Sequence, residues 1–431
     1  MGLLRFFLHR LRRLRQKFTD LYSTSGSFWR AGFYVAKFVF AKIPFLVEHF
    51  REICRAKHFQ SEIRHKRNLS PNTALLAIKL SGGIGDYLVA ARFIRDLTAQ
   101  SGRFNFDIYC NNADIAVWAF REFSGFCDVY SEFLFNRAVD NYDCGLWTSQ
   151  FVITYLPRAS SRNMSQINPG LGKSIKRITE FRPKIATYVD HHPFMDDGLA
   201  RHAESLSCRR ANYMHAIAGV HYGGDRLAVS SDDDLMRQLG LKPQRYITVH
   251  NGFDPAFIIT RKIATKCYPH FSGVVEILKR TLSDIAFVQI GTTTSTPIDN
   301  VDIDLVGRTS IVQAAALIKN SLMHIDNESG LVHLARCFGV RCCVVFGPTP
   351  IGYFGYPDNI NIAPRICGRC WWMNETWMDE CPRGYHEARC MVQQDPKDVA
   401  SAILDALANV QVSDERPSIA PAMTAEALSR A

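Results

Sequence analysis

The sequence lacks long hydrophobic runs. The 431-residue chain has no uninterrupted apolar stretch of about 18 residues, the length that a membrane-spanning helix requires. No small-residue cleavage site follows a clean apolar segment near the first residue, which argues against a secretory signal peptide. Hydrophobic residues still make up 47% of the chain, so the composition excludes a collagen-like or wholly disordered protein. The length is that of two or three domains.

Acidic residues are scarce at the beginning of the chain. Residues 1–70 contain 15 Lys and Arg but only 4 Asp and Glu, whereas the remaining residues contain 36 basic and 37 acidic side chains. This distribution argues against a nucleic-acid partner for the body of the protein. Within the basic arm, apolar residues recur at helical spacing: Leu4, Phe7, Leu8, Leu11, Leu14, Phe18 and Leu21. This pattern predicts a basic amphipathic helix that binds an anionic membrane surface, the alternative being a helix packed on the protein's own body or on a partner.

The 13 cysteines do not form a secreted disulfide pattern, because the chain is long, their number is odd and most are isolated or lie in apolar runs. Most are therefore expected to be small buried residues in a reducing compartment. Four of them lie together in a tryptophan-containing segment: Cys367, Cys370, Cys381 and Cys390. Their spacing is typical of a tetrahedral metal centre, so we predict one structural Zn or Fe ion, with His386 as a less favoured substitute for Cys390.

From about residue 71, short apolar runs alternate with helical patterns. Ala74–Leu80 predicts a strand and Tyr87–Leu97 the helix that follows it. Such alternation indicates parallel sheets covered by helices, with a ligand cleft at the carboxyl ends of the strands. A break near Gly240 divides the body into two units. The predicted organisation is a basic arm at 1–70, an acceptor domain at 71–240, a donor domain at 241–412 that includes the cysteine segment 367–390, and a flexible tail at 413–431.

The first loop of the body is rich in glycine. Gly82, Gly83 and Gly85 do not have the Gly-x-Gly-x-x-Gly spacing of a dinucleotide site. They permit a tight turn from strand to helix, which would leave Asp86 facing the cleft as a general base for an incoming hydroxyl. Asp86 is equally expected to cap the following helix, and the motif alone does not separate the two interpretations.

The second unit contains a more specific pattern. Asn327–Ala335 runs from a strand end into a helix whose first turn offers backbone N–H groups to an anion, with Glu328 placed to accept sugar hydroxyls. The turn Phe346–Pro350 ends the next strand on the same side. A cationic loop upstream is suited to a diphosphate leaving group. The cations of that loop are Arg261, Lys262 and Lys266.

These motifs, in their order and spacing, resemble glycosyltransferase family 9, the relatives of the ADP-heptose:lipopolysaccharide heptosyltransferases. The resemblance covers about residues 73–405. The matching segments are Ser81–Asp86, Thr265–Pro269, Gly307–Ser310, Asn327–Ala335 and Phe346–Thr349. It implies a GT-B fold, with two Rossmann-like domains facing across a cleft, an inverting mechanism and no catalytic divalent metal.

By matched position, the resemblance implies that Asp86 is the base and Lys266 the phosphate contact. It implies an acceptor-side loop of Gly82, Gly83 and Gly85, and donor-binding residues Thr309, Glu328, Ser329, Gly330, His333, Gly347, Pro348 and Thr349. Some relatives that glycosylate bacterial proteins are similar in carrying an iron-binding cysteine finger. The chain departs from the family at Glu328, where Asp is usual, and at Tyr268, where Trp is usual.

The predicted function is metal-independent transfer of a sugar, heptose in the first instance, from a nucleoside-diphosphate donor such as ADP-heptose to a bacterial glycan or glycolipid such as lipopolysaccharide core. The alternatives are a protein O-heptosyltransferase, a nicotinamide-dependent oxidoreductase and a non-catalytic nucleotide-sugar-binding scaffold. The basic arm predicts a cytoplasmic protein held on the inner face of the inner membrane. Three further patterns are interpreted as structural or surface features: Asp232–Asp234, Asp302–Asp304 and His191–His192.

Overall fold

A computed structural model describes residues 59–156, 164–193, 197–254, 257, 259–261 and 263–414, together with isolated positions between residues 18 and 36. The predicted amphipathic helix of the arm, Lys262 and the tail beyond residue 414 lie outside the described residues. Among the residues that are described, no helix is both long and apolar enough to cross a membrane.

The first domain is built on a five-stranded sheet of order β3-β2-β1-β4-β5, in which only β5 is antiparallel to its neighbour. The central strand is almost wholly buried, because helices cover both faces of the sheet. The strands are β1 Leu75–Leu80, β2 Asn105–Cys110, β3 Phe126–Ser131, β4 Cys144–Thr148 and β5 Val152–Tyr155.

Besides a helix that precedes β1, the first domain contains nine α-helices and three short 3₁₀ turns within its described residues. The α-helices are α1 Ile84–Ser101, α2 Ala113–Phe120, α3 Phe135–Ala138, α4 Met164–Ile167, α5 Pro169–Phe181, α6 Ala186–Asp190, α7 Gly198–Ser205, α8 Tyr213–Ala218 and α9 Asp234–Gln238. The 3₁₀ turns are Glu132–Leu134, Val139–Asn141 and Arg182–Ile185.

The second domain is built on a six-stranded, fully parallel sheet of order β11-β10-β9-β6-β7-β8. Its strands are β6 Tyr246–Val249, β7 Ala286–Gln289, β8 Ile303–Asp304, β9 Met323–Asn327, β10 Cys342–Val345 and β11 Ile360–Ile362. Its helices are α10 Phe271–Thr281, α11 Ile311–Asn320, α12 Gly330–Phe338, α13 Ile351–Phe354, α14 Arg389–Val392 and α15 Pro396–Asp414. The predicted α/β class with two Rossmann-like domains is confirmed.

A helix before β1 belongs to the first domain. Residues 59–69 are helical, and Phe59 and Ile63 pack on the sheet beside Tyr109. Lys66 extends over the same face and donates to Asp107 at 2.9 Å. The end of the predicted arm at 1–70 is therefore joined to the first domain rather than preceding it.

The cysteines outside the cysteine segment behave as the composition predicts. Seven of them are buried and Cys127 is half-buried, while Cys54 lies outside the described residues. Every cysteine that the structure describes is a free thiol. Most of these side chains fill gaps in the cores of the two domains.

Candidate active site

The first turns of α1 and α12 meet where the two domains face each other. Each helix begins at the carboxyl edge of its sheet, and β1 and β9 both lie at the point where strand order reverses. The contact needs glycine on both sides. A Cβ atom at Gly85 would lie 2.6 Å from His333 Cδ2 and 3.2 Å from Gly330 Cα, and one at Gly330 would lie 3.0 Å from Gly85 N. Two helix N-termini, and their positive dipole ends, therefore converge on one cleft.

Asp86 lies in the first turn of α1 and is one-fifth exposed. Its Oδ2 accepts from the backbone N–H of Gly83 at 3.0 Å, as the helix-cap interpretation predicts. Its Oδ1 accepts from Arg210 Nη2 at 2.7 Å and from Gln150 Nε2 at 3.1 Å. A carboxylate has about four acceptor positions, so the position that remains is on Oδ2.

Arg210 is buried beneath this carboxylate. Its Nη2 also donates to the carbonyl of Ser149 at 2.8 Å, and its Nη1 is buried without a partner among the described residues. Burial opposes the guanidinium charge, yet the neighbouring Asp86 carboxylate keeps the pKa of Arg210 above its ordinary value. The second domain supports the same cluster, because the carbonyl of Tyr353 accepts from Arg210 N at 2.7 Å and its hydroxyl donates to the Gln150 carbonyl at 3.1 Å.

Gly82 permits the turn that places Asp86. Its φ of +120° lies in the region that side-chain-bearing residues rarely adopt. A Cβ atom there would overlap Asp86 Oδ2 and would lie 2.5 Å from Asp86 Cγ. Neighbouring Gly83 lies under Asp254 of the second domain, whose Oδ2 is 3.1 Å from the position of a Cβ.

Lys266 and Glu328 form a pair beside the first turn of α12. Lys266 Nζ is 3.0 Å from Glu328 Oε2, and both side chains are nearly buried, with 12% and 11% exposure. An ammonium group has three donors, so this pair leaves two for a ligand. The pair therefore brings a cation and a carboxylate together beside the start of α12.

The loop that carries Lys266 is anchored by the cysteine segment. The buried carboxylate of Asp379 accepts three hydrogen bonds: from Thr260 N at 2.8 Å, from the Thr260 hydroxyl at 2.8 Å and from Arg261 N at 2.9 Å. Thr265, the residue before Lys266, donates its hydroxyl to the Trp377 carbonyl at 2.5 Å. The position of Lys266 therefore depends on residues more than 100 positions further along the chain.

The N-cap residue of α12, Ser329, is hydrogen-bonded to the buried carboxylate of Asp326. Ser329 Oγ accepts from Leu331 N at 3.1 Å and donates to Asp326 Oδ2 at 2.5 Å. Asp326 also pairs with His250 at 2.7 Å and His324 at 3.1 Å. Burial raises the pKa of Asp326, but the two histidines outweigh it and the net pKa is lower than usual. An ionised carboxylate thus fixes the start of the helix.

The remaining predicted donor-side residues lie at the same sheet edge with different surroundings. Gly347 packs under Met391 and Cys390, and the Pro348 carbonyl accepts from Cys370 N at 2.9 Å. Thr349 is buried, and its hydroxyl has no partner among the described residues. Thr309 is partly exposed in the loop between β8 and α11. The structure thus covers the turn after β10 with the cysteine segment.

The four cysteines of that segment lie near one another without forming a ready metal centre. Burial raises the pKa of the Cys370 thiol to about 12, with further contributions from Cys381 and Cys367. Burial also raises the pKa of Cys390, which interacts with the other three thiols. Nevertheless, no group of three or more His, Cys, Asp or Glu side chains in the described part of the chain is arranged to hold a metal ion. The predicted metal finger is therefore not shown.

The patterns set aside from the sequence have structural contacts. Asp232 accepts from Asp234 N at 3.0 Å where α9 begins, and Asp302 accepts from Phe287 N at 2.8 Å beside β8. His192 packs against the rings of Trp147 and Phe151, and its Nε2 lies 3.0 Å from Ser149 Oγ. These contacts account for the geometry of the aspartates, and they place His192 near the acceptor-side loop.

Several functional candidates escaped the sequence argument. Gln150 and Arg210 hold Asp86, Asp379 holds the Lys266 loop, and Arg92 and Tyr356 bind His333. None lies in a recognisable motif. Of these, only Gln150 carried a usable signal, because it lies two residues after the end of β4, at the sheet edge where ligands bind.

Comparison with known proteins identifies the class of enzyme. Residues 233–367 match the model of glycosyltransferase family 9 (heptosyltransferase), which spans most of the second domain. A search of curated protein sequences found no match. The predicted enzyme class is confirmed: the protein is a glycosyltransferase.

Solved structures give the fold. The chain is similar to the iron-containing dodecameric glycosyltransferase TibC of enterotoxigenic E. coli, with a TM-score of 0.50, 12% identity and 80% of each chain covered. It is also similar to E. coli ADP-heptose lps heptosyltransferase II, with a TM-score of 0.47, 14% identity, and 79% of this chain and 100% of the other covered. A family 9 glycosyltransferase of Veillonella parvula has a TM-score of 0.44 and 11% identity, and the match covers 78% of this chain and 97% of the other. The predicted GT-B arrangement is confirmed.

Proposed function

We propose that this protein is an inverting glycosyltransferase that moves a heptose from ADP-heptose to a bacterial glycan without a catalytic metal ion. The observation that carries the proposal is the meeting of α1 and α12. It places Asp86 on one side of the cleft, and the Lys266–Glu328 pair with the N-terminus of α12 on the other. In this proposal, Asp86 is the base for the acceptor, and the Lys266–Glu328 pair with the helix N-terminus is the site of the leaving diphosphate.

In the proposed step, an acceptor hydroxyl oxygen forms a bond to the anomeric carbon from the Asp86 side. The bond from that carbon to the diphosphate oxygen breaks, and its electron pair leaves with the nucleoside diphosphate. The hydroxyl proton moves to Oδ2 of Asp86, the oxygen with a free acceptor position. Attack opposite the leaving group inverts the anomeric configuration.

The charge of the leaving diphosphate would be stabilised by groups that are already fixed. Lys266 has two ammonium protons beyond its bond to Glu328, and the first turn of α12 offers backbone N–H groups. Glu328 would accept hydroxyl groups of the sugar or the ribose. These preorganised donors supply the stabilisation for which other transferases use a metal ion.

We propose that the four thiols of the cysteine segment bind one structural Zn or Fe ion. Thiolates at this spacing suit both metals, and the mutual proximity of the four sulfurs is the supporting observation. Binding would require deprotonation of the thiols and their closer approach. The ion would stiffen the segment that anchors the Lys266 loop.

We also propose a cytoplasmic location on the inner membrane surface, based on the basic arm of residues 1–70. A transferase held there would meet a lipid-linked acceptor such as lipopolysaccharide core. Transfer assays with two acceptors separate this proposal from protein O-heptosylation. Transfer to a core oligosaccharide supports the proposal, and transfer to an unfolded polypeptide supports protein O-heptosylation.

The proposal is tested by release of nucleoside diphosphate from ADP-heptose, with UDP-, GDP- and dTDP-sugars and NAD(H) compared by thermal shift. Asp86→Asn should lower kcat by about 10²–10⁴-fold while ADP still binds. The matched control is Asp114→Asn, which removes an exposed acid from the first turn of a different helix, α2, and should leave kcat unchanged. An Asp86→Asn enzyme within about threefold of the parent kcat would remove Asp86 from the mechanism.

A further inference from the structure

Arg92 is a buried cation that joins the two domains. It lies on α1 and is completely buried, yet all its hydrogen-bond partners among the described residues are neutral groups of the second domain. Its Nη1 donates to Tyr356 Oη at 2.6 Å, and its Nη2 donates to the His333 carbonyl at 2.7 Å and to Cys337 Sγ at 3.1 Å. A buried charge held by neutral groups needs an explanation other than ion pairing.

These bonds determine where the protons of Tyr356 and His333 lie. Arginine can only donate, so Tyr356 Oη accepts from it. Among the described residues, the other hydrogen-bond partner of that hydroxyl is His333 Nδ1 at 2.6 Å, which therefore accepts the hydroxyl proton. The opposite tautomer would leave a buried hydroxyl proton without an acceptor. His333 thus carries its own proton on Nε2.

The surroundings also keep His333 neutral. Burial lowers the pKa of its ring well below the ordinary value, and so do the charges of Arg92 on α1, Arg210 before α8 and Lys266 after β6. The carboxylates next to these cations, Asp86 and Glu328, are already paired with Arg210 and Lys266. The three cations around the His333 ring therefore oppose protonation of the imidazole.

Nε2 is the free end of the ring. Within the described residues, the only hydrogen bond of the side chain is the one at Nδ1. The Cδ2 edge, next to Nε2, faces the Gly85 turn that precedes Asp86. We propose that Arg92 and Tyr356 are positioning residues that fix His333 as a neutral imidazole whose Nε2–H donates to an oxygen of the nucleotide-sugar. A protonated ring there would instead compete for the carboxylate of Asp86. The ligand part of this inference rests on the proposed function.

The proton positions are tested by NMR of full-length protein labelled with ¹⁵N-histidine, the His333 signals being assigned by their loss in His333→Gln. We expect the Nε2–H tautomer at pH 7, and protonation of the ring only at a lower pH than that of an ordinary histidine. Tyr356→Phe should give a mixture of tautomers. Tyr246→Phe is the control, because it removes a buried hydroxyl that donates to the Leu317 carbonyl at 2.7 Å, at the opposite edge of the sheet. It should leave the His333 signals unchanged.

Kinetics test the ligand contact. With ADP-heptose as donor, His333→Gln retains an N–H near the Nε2 position and should keep kcat/KM within about threefold, whereas His333→Asn should lose about tenfold. Tyr356→Phe should lose about fivefold, mainly through a higher KM for the donor.

An Nδ1–H or protonated ring at pH 7, or tautomers unchanged in Tyr356→Phe, would overturn the positioning role. The expected tautomer with equal kcat/KM in His333→Gln and His333→Asn would overturn the ligand contact. Absence of turnover with any nucleotide-sugar in the parent protein would refute the proposed function and with it the ligand contact, while the NMR result would still decide the positioning role.

Discussion

Replacing Gly82 by alanine should disable the proposed base without removing it. Gly82 has a φ of +120°, and its new methyl group would occupy the space of the Asp86 carboxylate. The carboxylate would have to move, and with it the bonds from Gly83 N, Gln150 and Arg210. No atom that touches the acceptor or donor in the proposed mechanism is changed chemically.

The magnitude follows from the geometry. The added Cβ would lie 2.5 Å from Asp86 Cγ, whereas non-bonded carbons need about 3.5–4.0 Å, so the carboxylate must shift by about 1 Å. A misplacement of about 1 Å costs up to about 10²-fold in turnover. Backbone strain of about 1–2 kcal/mol and weakening of one capping hydrogen bond by about 1 kcal/mol should lower the free energy of unfolding by about 2–3 kcal/mol.

The assay is nucleoside-diphosphate release with saturating acceptor, with KM for the donor and the melting temperature measured on the same preparations. Gly102→Ala is the matched control: Gly102 follows α1 at its other end and has a φ of +80°, but a Cβ there would meet nothing within 4 Å. It should reproduce part of the stability loss and none of the loss in kcat. Equal kcat in both variants would show that the position of Asp86 does not limit the reaction.

Three further results are expected. Lys266→Ala should weaken ADP binding and lower kcat together, each by about tenfold or more, because the ammonium meets charge in the ground state and the transition state; unchanged ADP affinity would contradict the phosphate role. Protein purified without chelator should contain about one Zn or Fe per chain by elemental analysis, lost in Cys367→Ser but kept in Cys208→Ser, and full metal content in Cys367→Ser would refute the metal centre. Deleting residues 1–50 should release the protein from anionic liposomes, as should high salt, while sparing transfer to a short soluble acceptor; equal liposome binding would show that the arm is not the anchor.

The fold was predictable because its strongest determinants are local. The run Ala74–Leu80 is apolar and is followed by a glycine turn and helical spacing, and the structure has β1 and α1 there. The segment Asn327–Ala335, predicted to run from a strand end into a helix, contains the end of β9 and the start of α12; Ser329 caps the start of this helix and Gly339 ends it with a φ of +77°. The edge strand β5 went unpredicted, because its four residues have no periodicity of their own and are stabilised by pairing with β4.

The residues of the candidate site that lie in local sequence motifs could also be predicted. Asp86 and Glu328 lie in motifs whose glycines or strand ends reveal that a turn brings them to the sheet edge. Arg210 lies 124 positions from Asp86, in an irregular segment between two short helices. Only the packing of both domains makes that arginine a partner of Asp86. Arg92 could not be predicted for a different reason. An arginine in a helix is expected to be exposed to solvent, whereas Arg92 is fully buried.

The cysteine segment contacts several parts of the candidate site although none of its residues is among the proposed reacting groups. Arg369 reaches the first domain and binds Asp197 at 2.8 Å and Glu204 at 2.9 Å. Cys370 N donates to Pro348 at the end of β10, and Asp379 holds the loop that carries Lys266. One short segment therefore contacts the first domain, the turn after β10 and the loop that carries Lys266. The cysteine segment has little regular secondary structure, so the rigidity of these three contacts depends on the rigidity of the segment. A metal ion bound to its thiols would restrict all three at once, so loss of the ion should raise the donor KM through Lys266 before it unfolds either sheet.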